Sequence, residues 1–161
     1  VALSYEYDPC DFLKAKEMQQ KRDSETFKKS QADDLTNMQT GIFGYKGRVH
    51  FQTGPCINEE LEALRGLPKT EVFTQVSTLI DKHIHRNYRL YPGNYVACDL
   101  LNGTETFAGK YTPEEKKRFE AYLQKKLDLI QLPNKDEGFL RQRILTMYAN
   151  PAINHLKAIA Q

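Results

Sequence analysis

Two strand-like segments limit what this chain can fold into. In Val1 to Tyr7, VALSYEY, residues Val1, Leu3, Tyr5 and Tyr7 fall on one face. In Gly47 to Leu61, GRVHFQTGPCINEEL, Val49, Phe51 and Thr53 alternate with Arg48, His50 and Gln52. Gly54-Pro55 breaks this second segment, and Asn58 reads as the cap of a helix whose first turn holds Glu59 and Glu60. A two-stranded sheet is marginal by itself. Either helices build the core and the strands are an appendage, or the strands belong to a larger sheet.

The segment between the strands reads as helical. Asp8 stands in N-cap position with Pro9 as first helical residue, opening a helix from about Cys10 to Arg22. A second helix runs from Ser24, as cap, to Thr40, with a sparse apolar stripe of Phe27, Leu35, Met38 and Ile42. Gly41 and Gly44 end it. This connection is long enough for a crossover, which predicts parallel pairing of the two strands.

Everything after the second strand reads as helix. From Thr70 to about Tyr88, Val72, Phe73, Val76, Leu79 and Ile80 recur at helical spacing. Asn94 to Leu101 is a short apolar helix closed by Asn102-Gly103. Thr112-Pro113-Glu114-Glu115 is a capping box with Pro at the first helical position, and that helix extends to Pro133. Glu137 to Tyr148 forms another helix, and Asn150-Pro151 starts a last one containing Ile153, Leu156 and Ile159. The expected class is α/β: two parallel strands followed by a mainly helical C-terminal region. The expected boundaries are an α/β unit over 1–66 and a helical extension over 67–161.

With 23 basic and 21 acidic residues the net charge is +2. A dedicated nucleic-acid binder shows a clear basic excess, so no nucleic-acid partner is expected. No run approaches the ~18 apolar residues of a membrane span. Cys10, Cys56 and Cys98 fit no zinc or redox spacing, and their odd number suits a reducing, cytoplasmic setting.

Chemistry-bearing patterns are few. His83 and His85 are separated by two, a spacing that does not share a helix face, so metal ligation there is poorly served. Lys82, His85, Arg86 and Arg89 lie beside Tyr88, Tyr91 and Tyr95. That interleaving suits an anion site for phosphate or a lipid headgroup. It equally suits a cationic last turn offsetting the helix dipole. The lysines of the helix after Thr112 present either a solvated face or one that lies on an anionic membrane. Cys10, near a helix start, has the setting of a lowered thiol pKa, and Cys56 precedes another helix. A cysteine-dependent enzyme would need a histidine beside one of them.

The segments VALSYEYDPCDFLKA and GYKGRVHFQTGPCINEEL together resemble the later part of a lysophosphatidate-type glycerolipid acyltransferase. That family has a core strand of the form Val-Pro-Val followed by small and apolar residues. Val1-Ala2-Leu3-Ser4 resembles its end, as if the chain were cut inside the motif. A later family strand has the form Gly-x-Val-x-Val/Phe-x-x-Gly-x-Pro-Ile. Gly47, Val49, Phe51 and Gly54 match it, and Pro55-Cys56-Ile57 carries the proline displaced by one. HIHRNYRLYPGNYVACDLL is similar to C-terminal extensions of bacterial members.

The resemblance implies transfer of an acyl group from a carrier thioester, acyl-CoA or acyl-carrier protein, to a lysophospholipid. In the family, the His of an H-x-x-x-x-D motif acts as general base and the Asp fixes its tautomer. Here the positions five beyond His50, His83, His85 and His155 are Pro55, Tyr88, Leu90 and Ala160. The Glu-Gly-Thr-Arg-Ser phosphate motif is also absent. No catalytic residue is therefore assigned, and no resident cofactor or metal. The catalytic part is expected upstream, as a partner within the same protein. Gly54, Pro55 and Ile57 are expected to border the acyl or acceptor pocket, with Lys82, Arg86 and Arg89 meeting phosphate or membrane. The expected location is cytoplasmic, peripheral on the inner face of the cell membrane. The competing reading is a noncatalytic interaction module, and open strand edges predict self-association.

Overall fold

The structure is a computed structural model, and it describes residues 1–160. The chain is mostly helical, with one small two-stranded sheet. Strand β1 spans Ala2–Tyr5 and strand β2 spans Val49–Gln52. They pair antiparallel, with Leu3 opposite Phe51 and Tyr5 opposite Val49, which corrects the expected parallel arrangement. The reason lies in the connection. Helix α1, Asp11–Asp23, packs into the helical core through Ala15, and no residue of helix α2, Gln31–Phe43, is buried, so the connection does not cross over a sheet face. The chain returns to the end of β1 that it left and runs back alongside it. Backbone bonds from Glu6 N–H to the Arg48 carbonyl and from Tyr7 N–H to the Lys46 carbonyl extend the pairing toward this crossing. Gly47 sits there at φ 65°, where a side chain would be strained and would meet Glu6 and Tyr7.

The buried face of β1 is the opposite of the expected one. Ala2 and Ser4 are covered, whereas Leu3 is 45 % exposed and Val1 80 % exposed. Small residues at 2 and 4 allow close approach of the segment around Arg89, whose N–H donates to Ser4 Oγ at 3.0 Å. Leu3, Val49 and Phe51 share the outer face.

Several helix ends also differ from expectation. Asp8 does not cap α1 directly; its Oδ1 accepts the Cys10 N–H, and the helix begins at Asp11. Ser24 closes α1 instead of opening α2, because its N–H bonds the Gln20 carbonyl. Ser30 is the true cap of α2, in a reciprocal box with Asp33. Helix α3, Asn58–Ala63, starts at Asn58 with no side-chain cap. Helix α4 spans Lys69–Arg86 and α5 spans Pro92–Asn102. The Thr112 box caps α6, Pro113–Asp128, as the sequence predicts, although the helix stops before Pro133.

Helix α7 runs unbroken from Glu137 to Ile159 with Pro151 inside it, so the expected break at Asn150-Pro151 does not occur. Proline removes one helical donor and leaves the Met147 carbonyl without its usual partner. Packing outweighs that loss. Asn94 Nδ2 donates to the Tyr148 carbonyl at 2.9 Å, and Ala149 and Ala152 are fully buried.

The core lies among α1, α5, α6 and α7. Leu123 and Leu127 of α6 meet Leu140 and Ile144 of α7, with Val96 of α5 and Ala15 of α1 in the same cluster. A polar node ties α1 to it. The Asp11 carboxylate is fully buried and accepts hydrogen bonds from the hydroxyls of Tyr122, at 2.5 Å, and Tyr148, at 2.8 Å. Lys126 Nζ lies 3.1 Å from its other oxygen. The buried charge is thus both paired and hydrogen-bonded, as burial requires.

Candidate binding site

Beyond Gln52 the Gly54-Pro55 break turns the chain across the last turns of α4. The turn and the helix enclose an apolar groove of about 350 Å³. Gly54, Pro55 and Ile57 form one wall, and Ile80 and Ile84 face them, with His83 and Asn87 as the polar contribution. A Cβ on Gly54 would meet Asn87 Nδ2 and His83 Cβ at 3.7 and 3.8 Å, ordinary contact distances. Glycine is therefore not sterically required there. The three motif-bearing residues of the turn do come together on one groove.

The three basic residues do not converge on it. Arg86 Nε donates to the Ala158 carbonyl at 2.9 Å, so it fastens α4 to the end of α7. Lys82 borders neither this groove nor the cleft described next. Arg89 lines a separate cleft of about 190 Å³ with Ser4, Tyr5 and Tyr88. Part of the basic cluster thus has a structural role, tying the end of α4 to the end of α7.

The histidines carry no catalytic arrangement among the described residues: none is hydrogen-bonded or ion-paired to a carboxylate. His155 Nδ1 lies 2.9 Å from the His85 carbonyl, and the His85 ring lies 5.7 Å from that of Tyr88. Neither Cys10 nor Cys98 is an activated thiol. Burial, then the Asp8 carboxylate, raises the Cys10 pKa instead of lowering it, and its Sγ donates to the Asn37 carbonyl. Burial pushes the Cys98 thiol up to about 11. Cys56 is exposed, and neither Cys10 nor Cys56 hydrogen-bonds a histidine among the described residues. Those residues also contain no group of three or more His, Cys, Asp or Glu side chains placed to hold a metal ion.

Two features had no signature in the sequence. The Asp11–Tyr122–Tyr148 node joins residues 137 positions apart. The Arg89 cleft depends on Ser4 facing inward, the reverse of the strand's apolar alternation.

Comparison with protein-family models, with curated proteins and with solved structures finds no match to this chain.

Proposed function

We propose that the chain is the acyl-chain-binding portion of a glycerolipid acyltransferase of the lysophosphatidate type. The whole enzyme transfers an acyl group from acyl-CoA or acyl-carrier protein to a lysophospholipid-like acceptor. Its general-base histidine and aspartate come from another part of the enzyme. One observation carries the reading: Gly54, Pro55 and Ile57, the residues that bear the family-like turn, form one wall of an apolar groove. Each methylene buried in such a groove contributes about 0.8 kcal/mol, so affinity grows with chain length. The uncovered face of Leu3, Val49 and Phe51 supports a contact with the catalytic part. Exposed Phe73 and Ile80 on α4, with Lys69 and Lys82 on the same helix, support peripheral contact with an anionic membrane. Among the described residues no helix is long and apolar enough to cross one.

The test is a titration of the chain with a fluorescent fatty acid. Saturable binding that strengthens with acyl length and is lost in Ile84→Asp supports the reading. Chain-length-independent binding, or none, contradicts it. The chain alone is expected to leave acyl-CoA intact; hydrolysis stimulated by lysophosphatidate and abolished by His50→Ala would place catalysis within it and refute the division of labour.

A second reading, a noncatalytic interaction module, is favoured by α2. Leu35, Met38, Ile42 and Phe43 lie along one side of that helix, each more than half exposed. A chain that is monomeric at all concentrations and binds no acyl probe supports that module over the acyl site.

A further inference from the structure

The cleft beside β1 shares no lining residue with the apolar groove. Its walls are the inward edge of β1, the segment joining α4 to α5, and α7 around Pro151. Met147 and Pro151 supply apolar surface. The polar side is rich in donors that lack acceptors. Ser4 Oγ accepts the Arg89 N–H, yet its own hydrogen has no acceptor among the described residues. The hydroxyls of Tyr5 and Tyr88 make no hydrogen bond among them either. Burial, then the Asp8 carboxylate, raises the Tyr5 pKa, so its hydroxyl keeps the hydrogen it can donate.

Arg89 completes the set. Its backbone is fixed by Ser4, but its guanidinium has no ion pair or hydrogen bond to a described residue. Asp8, the one carboxylate in the lining, has partners for both of its oxygens. One of its oxygens pairs with Lys14 Nζ and the other accepts the Cys10 N–H. The cleft therefore offers hydroxyl donors, one unpaired guanidinium and an apolar wall. A guanidinium with flanking donors matches the several lone pairs of an oxyanion.

We propose that this cleft is a second binding site, for a small oxyanion that carries an apolar group, either a phosphate monoester or a carboxylate. The oxyanion lies at Arg89 with the hydroxyls of Ser4, Tyr5 and Tyr88, and the apolar group lies on Met147 and Pro151. The site does not depend on the acyltransferase reading.

The test is an NMR titration of the whole chain with butyl phosphate, butyrate and inorganic phosphate. Saturable shifts at Ser4, Arg89 and Met147 are expected with butyl phosphate or butyrate, and the tighter of the two identifies the oxyanion. Inorganic phosphate is expected to bind at least about tenfold more weakly, for want of the apolar contact. Arg89→Gln is expected to weaken binding about tenfold, Arg89→Lys less, and Lys82→Gln not at all. Arg89 is exposed, so these variants keep the fold, which their melting temperatures check. Absence of saturation with both probes overturns the site. So does an Arg89→Gln variant that binds like the parent, or an equal loss in Lys82→Gln, which would mark a diffuse basic surface. Failure of the fatty-acid titration leaves this outcome untouched, because the two sites have no residue in common.

Discussion

The helical cluster of α1, α5, α6 and α7 and the edge formed by β1, β2 and α2 handle similar sequence patterns in opposite ways. In the cluster, apolar residues at helical spacing are covered: Leu140 and Ile144 are 0 % exposed. At the edge, Phe51 alternates as a strand residue should, yet is 68 % exposed, and the stripe of α2 is equally open. Periodicity states which residues share a face. It does not state whether anything lies against that face.

The largest expected effect is at the polar node inside the helical cluster. Asp11→Ala removes the buried acceptor that the hydroxyls of Tyr122 and Tyr148 share and the carboxylate partner of Lys126, and should cost about 3–5 kcal/mol in urea unfolding. A loss below about 1 kcal/mol would show that the node does not hold α1 to the core. Next comes the comparison itself. Leu140→Ala should cost about 2–5 kcal/mol, because it leaves a cavity in a closed core. Phe51→Ala should change stability by about 0.5 kcal/mol or less. Equal costs would mean that the outer sheet face is covered in solution.

Caps sharpen the same contrast. Thr112→Ala should lower global stability by about 1 kcal/mol, because α6 is part of the core. Ser30→Ala should instead accelerate amide exchange along α2 and leave the global transition in place, since no residue of α2 is buried.

Acid and alkali should separate the regions too. Burial, then the Asp11 carboxylate, raises the Tyr148 pKa, so the neutral hydroxyl is the form that supports the core. That support is whole below about pH 10, the unfolded value, and is lost as pH rises beyond it. Glu6 behaves oppositely. Burial would raise its pKa, but hydrogen bonds from Arg48 outweigh burial and lower it. Its contribution is present above about pH 4.3 and is lost as pH falls through the folded value, at a cost of about 1 kcal/mol or less because Arg48 is exposed. Following β1–β2 amides and Tyr148 by NMR from acid to alkali checks both signs, and Glu6→Gln should abolish the acid response alone.

How much was legible in the sequence follows from where each signal is stored. The Thr112 box, the alternation of β2 and the helical character beyond residue 67 are local patterns, and the structure contains each of them. Strand direction was not local. It rests on pairs such as Tyr5 with Val49, far apart in the chain, and on where the two intervening helices pack. The break expected at Pro151 failed because α5 satisfies the neighbouring carbonyls of α7, a contact between residues far apart in the chain. The turn at Gly54-Pro55 was legible as a break, and its groove needed α4 to be placed before Ile80 and Ile84 could face it. Arg86 and Arg89 look alike in sequence, and only the structure separates a helix fastening from a guanidinium with no partner among the described residues.

The central claim is that the groove behind the Gly54–Ile57 turn holds an acyl chain. The most direct measurement is isotope-filtered NMR on the chain with a carbon-labelled palmitoyl probe. The account predicts contacts from the acyl methylenes to the methyl groups of Ile57, Ile80 and Ile84, with none to Leu3 or Val49. Contacts confined to the outer sheet face, or no intermolecular contacts at saturating probe, would contradict it.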